Sequence, residues 1–234
     1  MNTTWSKRMS KNKPKYKKIN NSYFKNFCSI FNTLLSIDTD NVLSNMQEAS
    51  LDDNNKKKQF YLYDGKLLNM DAVKLDDMTE PFLQYMKKER SLNYFEQPHA
   101  VDAMCVDRDN EWFFIEFKNC PIYKVTSEGQ KYNSEVLSSI RQKMFGSLWL
   151  LFTLDSFAHK GLFGDDITEY ARKHFTYIVV VSRDKNPDEF RRIHECIGNR
   201  YTPLYFSKYV GYYFKDVYLL TEKEFASFIK NFKN

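Results

Sequence analysis

Glycine is scarce in this chain, with 7 among 234 residues, and no glycine-rich phosphate-binding motif occurs. The patterns GxxxxGKS, GxxxxGKT and GxGxxG, whose backbone N–H groups hold nucleotide phosphates, are all missing. A GxSxG nucleophile elbow is missing as well. These absences argue against the binding of a nucleoside triphosphate through a glycine-rich loop and against a serine nucleophile on an elbow turn.

Cysteine and histidine are also few, with 4 of each, and they are widely dispersed. The cysteines form no CxxC pair and are interpreted as reduced thiols, and no histidine has the spacing of a metal ligand. The longest apolar segment, SLWLLFTL at 147–154, is too short to span a bilayer, and the sequence opens without the apolar stretch of a signal peptide. We therefore expect a soluble, cytoplasmic protein with no membrane partner.

Positive charge is concentrated at the start of the sequence. The net charge is +5 overall, but residues 1–20 contain seven Lys or Arg and no acid, which leaves −2 for the remainder. We expect residues 1–20 to form a basic, disordered tail that attracts nucleic-acid phosphates or anionic lipids. A terminus that merely aids solubility explains the same charges equally well.

Hydrophobic residues make up 42% of the chain, which is enough for one core over residues 21–234. Apolar periodicity and helix-start residues predict helices, and β-branched or alternating runs predict strands. The predicted fold class is α/β, a mixed central sheet flanked by helices, with a core over about 75–185 in the order helix-strand-strand-strand-helix-strand. The predicted helices are 22–37, 76–90, 133–154, 186–198 and 221–232; the predicted strands are 92–98, 100–106, 111–117, 175–182 and 212–220, with a peripheral hairpin at 60–70.

Three charged residues interrupt the apolar strands at 99–119, namely Asp102, Glu116 and Lys118. Side chains alternate along a strand, so Glu116 and Lys118 share one face. If 108–110 forms a three-residue hairpin loop with Asn110 in a left-handed conformation, the register places Asp102 directly opposite Glu116. The sequence therefore predicts that two carboxylates and one ammonium group converge.

Two carboxylates on adjacent strands repel each other unless a cation lies between them, and their oxygens suit Mg²⁺ or Mn²⁺. Such a metal polarises a phosphate oxygen and lowers the pKa of a bound water, and Lys118 can orient that water or stabilise the transition state. Phosphodiester hydrolysis needs this set of groups. The alternative is structural, because Glu-x-Lys is also a common, weak ion pair on half-exposed strands.

This pattern resembles the PD-(D/E)xK nuclease superfamily, which has a restriction-endonuclease-like fold. The resemblance covers about 75–185 and rests on Asp102 in AVDAMCV and on Glu116 and Lys118 in FFIEFKN. It implies that Asp102, Glu116 and the carbonyl of Phe117 bind the metal, while Lys118 serves the attacking water. Val101 stands where the eponymous proline would be, a frequent departure.

The resemblance also implies two helix residues near the site. Many members have a glutamate on the first helix, for which Glu80 is the best match, ahead of Glu89 and Glu96; a charge at a helix start explains Glu80 equally well. Some members have a glutamine on the second helix, where Gln142 lies. Its neighbours Arg141 and Lys143 could contact phosphate, although a solvated helix face accounts for them too.

The leading hypothesis is therefore a divalent-metal-dependent endonuclease that hydrolyses DNA or RNA. The alternative is a catalytically silent nuclease-like fold that binds nucleic acid or protein, as a sensor, an inhibitor or an immunity-type protein. Homodimerisation fits the cutting of two strands, but no interface is visible in the sequence. The choice between DNA and RNA stays open.

Overall fold

The computed structural model describes residues 15–37, 43–52, 60–66, 68–91, 96–158, 161–196 and 200–233. Most of the predicted tail, residues 1–14, lies outside this set, and so do residues 92–95 of the predicted strand at 92–98. The end of the tail segment is described: Lys15–Lys17 form a strand, and Ile19 is buried.

Helices and strands alternate through most of the described chain. In order, they are β1 (Lys15–Lys17), α1 (Ser22–Leu35), β2 (Leu43–Asn45), α2 (Met46–Ala49), β3 (Leu68–Val73), α3 (Thr79–Arg90), β4 (Ala103–Val106), β5 (Trp112–Lys118), β6 (Tyr123–Thr126), β7 (Gly129–Tyr132), α4 (Ser134–Ala158), α5 (Ile167–His174), β8 (Phe175–Val181), α6 (Pro187–Glu195), α7 (Leu204–Ser207), β9 (Asp216–Thr221) and α8 (Glu222–Asn231).

A mixed sheet forms the centre of the fold. Its strands follow the order β1-β3-β4-β5-β8-β9, and β2 also pairs with β3. The β3–β4 and β4–β5 pairs are antiparallel, whereas β5–β8 and β8–β9 are parallel. All seven residues of β8 are buried, as expected for a central strand of a layered sheet. The predicted α/β class with a mixed sheet and flanking helices is confirmed.

The β4–β5 hairpin has the predicted register. Ala103 lies opposite Ile115 and Val106 opposite Trp112, so Asp102 is in line with Glu116. The loop at 108–110 contains Asn110 at φ 62°, the left-handed conformation that asparagine tolerates. Asp107 fixes the loop locally, because its Oδ1 accepts hydrogen bonds from the N–H groups of residues 109 and 111 at 2.9 and 3.0 Å.

The strand beside β4 differs from the prediction. It is β3, which precedes α3, and not the segment at 92–98, of which the described residues Glu96, Gln97 and Pro98 lie outside any strand. Glu96 and Gln97 are exposed, and Pro98 has no N–H to donate to a neighbouring strand. The finer order helix-strand-strand-strand-helix-strand is thus not confirmed.

Two further segments differ from the predictions. In place of the hairpin at 60–70, Tyr61 bridges to Leu51 and β3 joins the central sheet. A separate two-stranded sheet, β6–β7, lies between β5 and α4, where no strand was predicted. Every described residue of β7 and three of the four in β6 are exposed, so neither strand has the buried alternation that reveals a strand in a sequence. Among the described residues, no helix is long and apolar enough to cross a membrane.

Candidate active site

A cleft of about 430 Å³ opens where β4 begins, β5 ends and the first half of α4 passes over them. Its walls include all three residues of the predicted triad, Asp102, Glu116 and Lys118. Phe117, the predicted source of a metal-binding carbonyl, lines the same cleft. The structure therefore brings together the residues that the hairpin register had placed side by side.

Asp102 is held in place by the backbone of the neighbouring strand. Its Oδ2 accepts a hydrogen bond from the Phe117 N–H at 2.7 Å, and its Oδ1 accepts one from Lys143 Nζ at 2.6 Å. The side chain is 20% exposed, so it faces the cleft without being fully solvated. One oxygen thus anchors Asp102 to β5, and the other contacts the ammonium group of Lys143.

Glu116 is fully buried, with a side-chain exposure of 0%. Burial and, next, the negative charge of Asp102 raise the pKa of Glu116 above its ordinary value, against the opposing effects of Lys118 and Lys143. Both carboxylate oxygens have ion-pair contacts but no hydrogen bond of good geometry within the described structure. This buried carboxylate is therefore held by charge attraction to the two lysines at the floor of the cleft.

The ammonium group of Lys143 lies between the two carboxylates. Its Nζ is 2.6 Å from Asp102 Oδ1 and 3.2 Å from Glu116 Oε2. Burial acts to lower the pKa of Lys143, but attraction to Glu116 and Asp102 outweighs burial and raises it, so the group stays charged. Lys143 thus neutralises the carboxylate pair at the place where the sequence predicted a divalent ion.

Lys118 approaches Glu116 from the other side. Its Nζ is 2.6 Å from Glu116 Oε1 and 3.3 Å from the hydroxyl oxygen of Ser139 on α4. The side chain is 17% exposed, which leaves it in contact with the cleft. Lys118 is therefore tied both to the buried acid and to the helix above it.

Close packing holds α4 against the segment that carries Asp102. A Cβ atom added at Gly146 would lie 1.9 Å from the carbonyl oxygen of His99, so only glycine permits this approach. One residue further along, Ser147 Oγ accepts a hydrogen bond from the Val101 N–H at 2.9 Å. The distance between Lys143 and Asp102 is thus set by contacts one turn further along the same helix.

The acids that the resemblance suggested on the first helix lie outside the cleft. Glu80 is exposed, and its Oε1 accepts a hydrogen bond from Gln84 at 2.6 Å; Glu89 and Glu96 are exposed too. Asp76, at the 3-10 turn that leads into α3, lines the cleft instead. The signal in the sequence was Asp76-Asp77 at the start of the predicted helix, where an acid is stabilised by the N-terminal end of the helix dipole.

Gln142 is exposed and does not line the cleft, whereas its neighbour Lys143 does. The resemblance suggested Gln142 as the helix residue near the site, with Lys143 as a flanking charge. Successive helix residues project about 100° apart, so a shift of one position moves a side chain off the cleft. A second missed group is Asp52, which lines the cleft and accepts a hydrogen bond from Asn119 at 2.8 Å.

The chemistry of the donors fits a hard divalent cation. Asp102 and Glu116 supply carboxylate oxygens, and Phe117 lines the same cleft. The buried Glu116 oxygens already contact the ammonium groups of Lys118 and Lys143, so they are positioned to face a cation. Within the described ranges, no three His, Cys, Asp or Glu side chains converge on one point, so a bound ion would need main-chain, water or substrate oxygens as well.

The chain matches no protein-family model, no curated protein and no solved structure.

Proposed function

We propose that this protein is a divalent-metal-dependent nuclease that hydrolyses phosphodiester bonds of DNA or RNA, with a restriction-endonuclease-like core of the PD-(D/E)xK type. The observation that supports it most is the convergence of Asp102, Glu116 and Lys118 in one cleft. Both carboxylates there contact one cationic group, the ammonium group of Lys143. A fully buried glutamate beside a second carboxylate costs folding free energy, so such a pair indicates a function.

Asp102, Glu116 and the Phe117 carbonyl would hold Mg²⁺ or Mn²⁺. When bound, the metal supplies Lewis-acid chemistry, which polarises a phosphate oxygen and lowers the pKa of water. The Phe117 N–H fixes the orientation of Asp102 by its 2.7 Å hydrogen bond, so this ligand is pre-positioned before any ion binds. The buried position of Glu116 excludes competing water from one side of the site.

Lys118 and Lys143 supply the positively charged groups of the proposed mechanism. Lys118 lines the cleft, where its ammonium group can orient the attacking water or stabilise negative charge on the phosphate. Lys143 has to leave its position between the carboxylates when a metal binds, since both cations cannot contact the same oxygens. Its long side chain can then reach a substrate phosphate while remaining anchored on α4.

A cleavage assay tests this function directly. The full-length protein is incubated with plasmid, single-stranded DNA and RNA in Mg²⁺, Mn²⁺ or EDTA, and products are resolved on gels. We expect cleavage that requires metal, and we expect Asp102→Asn to abolish both cleavage and Mn²⁺ binding in calorimetry. Asp188→Asn is the matched control, because Asp188 lies on α6 in an exposed ion pair with Arg191 at 3.3 Å. Metal-independent cleavage, or full activity in Asp102→Asn, would contradict the proposal.

The position of Lys143 supports a second candidate function. An ammonium group that already satisfies Asp102 and Glu116 could replace the metal permanently, as in a silent nuclease-like fold that binds nucleic acid or protein. In that case calorimetry would show no Mn²⁺ binding to the parent protein, and no substrate in the panel would be cut. Stoichiometric Mn²⁺ binding by the parent would eliminate this candidate.

A further inference from the structure

The helix α4 separates the candidate active cleft from a second depression on the protein surface, which we call the aromatic groove. Its volume is about 230 Å³. The residues that line it lie on β7, α4 and α7 and directly after α7, and they include Tyr132, Leu137, Arg141, Tyr205, Phe206 and Lys208. Lys143 and Ser139 face the cleft, whereas Leu137 and Arg141, on other sides of the same turns, face the groove.

A half-exposed tyrosine ring dominates the groove. Tyr132 is 41% exposed, and its ring is stacked on that of Tyr123, with centroids 4.6 Å apart and planes at 28°. The rings of Tyr205 and Tyr132 form a T-shaped pair, with centroids 4.6 Å apart. Because two neighbours fix its orientation, Tyr132 presents a preformed aromatic surface that loses little conformational entropy when a ligand binds.

The charge of the groove is of one sign. Arg141 and Lys208 contribute two cations, and none of the described residues that line the groove carries a carboxylate. Lys208 is held over the ring of Tyr209, with its Nζ 5.2 Å from the centroid. An aromatic surface flanked by cations is complementary to an anionic ligand that has flat, apolar rings.

Further exposed rings continue from the groove along α4. Phe145 is 39% exposed and Tyr213 is 41% exposed. The ring centroid of Phe145 is 5.6 Å from that of Tyr209 and 5.2 Å from that of Tyr213. Protein surfaces rarely expose several large rings side by side without a binding role. The surface is thus longer than one ring, and Lys208 lies beside its rings.

We propose that the aromatic groove binds single-stranded nucleic acid, with a base stacked on Tyr132 and phosphates paired with Arg141 and Lys208. Successive bases of a single strand stack on aromatic side chains while cations follow the backbone, whereas the bases of a duplex are already stacked on each other. The inference rests on the proposed nuclease function and specifies its substrate class. A helix with its side chains is about 10 Å across, so one short strand can cross α4 from groove to cleft.

The test measures binding apart from cleavage. Fluorescence anisotropy is recorded in EDTA with labelled single-stranded DNA and RNA of twelve nucleotides and with a duplex DNA of the same length. We expect the full-length protein to bind the single strands at least tenfold more tightly than the duplex. Tyr132→Leu and the double variant Arg141→Gln, Lys208→Gln should each weaken single-strand binding about tenfold. A comparison of the DNA and RNA curves shows which sugar the groove accepts.

Matched controls exclude general effects of the substitutions. Tyr23→Leu removes a ring that is 40% exposed on α1, and Lys223→Gln removes an exposed charge on α8; neither should change binding. Thermal melting checks that every variant is folded, and sedimentation velocity checks its oligomeric state. If Tyr132→Leu turns a dimer into a monomer and leaves oligonucleotide binding intact, the groove is an interface between copies of the chain and the inference is overturned.

The cleavage and binding assays distinguish a wrong assignment of the groove from a wrong assignment of the nuclease function. If the parent cleaves with Mn²⁺ but the groove variants bind and cut like the parent, the nuclease stands and the groove assignment falls. If groove-dependent binding occurs without cleavage under any metal, the groove assignment stands and the nuclease falls. Equal affinity for duplex and single strand would overturn the choice of single-stranded nucleic acid.

Discussion

The candidate active cleft and the aromatic groove lie on two sides of α4, yet they are built from opposite kinds of side chain. The cleft holds buried charges, such as Glu116 at 0% exposure, which exist only because neighbouring charges neutralise them. The groove holds half-exposed rings and solvated cations, such as Tyr132 at 41% exposure. Changes in the cleft should therefore alter folding, metal binding and chemistry, whereas changes in the groove should alter ligand binding alone.

The largest expected effect concerns the ammonium group between the carboxylates. Lys143→Met removes it and leaves Asp102 beside buried Glu116, which should lower the free energy of unfolding by about 3 kcal/mol in metal-free protein. Mn²⁺ should restore stability and should bind more tightly than to the parent, because Lys143 no longer competes. Denaturant unfolding and calorimetry measure the two effects.

The exposed Lys223→Met on α8 is the control for losing a lysine charge. If Lys143→Met melts like the parent and binds Mn²⁺ no better, the ammonium group does not compensate the carboxylate pair.

The next largest effect is a loss of catalysis that leaves metal binding unchanged. Lys118→Ala should reduce the rate of cleavage on the order of a hundredfold, since it removes the group that serves the water or the transition state. Its affinity for Mn²⁺ and for single-stranded oligonucleotides should match those of the parent. Single-turnover cleavage measures the rate, calorimetry measures the affinity for Mn²⁺, and anisotropy measures the affinity for oligonucleotides. If folded Lys118→Ala cleaved at the rate of the parent, another group would have to supply the catalytic ammonium, and Lys143 would be the first candidate.

A change in the helix packing separates the two regions most directly. Gly146→Ala would place a Cβ against the His99 carbonyl, so α4 has to shift from the segment that carries Asp102. We expect a loss of about 1–3 kcal/mol in unfolding free energy and a large loss of cleavage, with single-strand binding retained. The control is Ser156→Ala at an exposed position of the same helix. Equal losses of cleavage and binding would show that the cleft and the groove are not independent.

The smallest effect is expected from the basic N-terminal segment. Deleting residues 1–14 removes four Lys or Arg and spares β1, whose Lys17 donates hydrogen bonds to the carbonyls of Lys230 and Phe232. Oligonucleotide binding should weaken, and its dependence on salt should become shallower, because fewer counterions are released. Binding at several salt concentrations measures the slope, and thermal melting checks the fold. An unchanged slope would mean that these charges do not contact phosphate.

Local sequence determined the part of the site that lies on the β4–β5 hairpin. Alternation placed Glu116 and Lys118 on one face, and the loop that ends at Asn110 set the register that aligns Asp102 with Glu116. These features depend on neighbours within a few residues, so their consequences can be worked out without the rest of the fold. The apolar run at 175–182 predicted a strand in the same way, and β8 lies there with all seven of its residues buried.

Only the tertiary structure decided which residues of the helices reach the cleft. The rotation of α4 about its own axis is set by packing at Gly146 and Ser147 against residues 99–101, and this rotation points Lys143, not Gln142, at Asp102. The position of α3 likewise brings Asp76 to the cleft and leaves Glu80 in solvent. A helix repeats every 3.6 residues, so a small rotation fixed by distant contacts exchanges one side chain for its neighbour, and no local pattern records it.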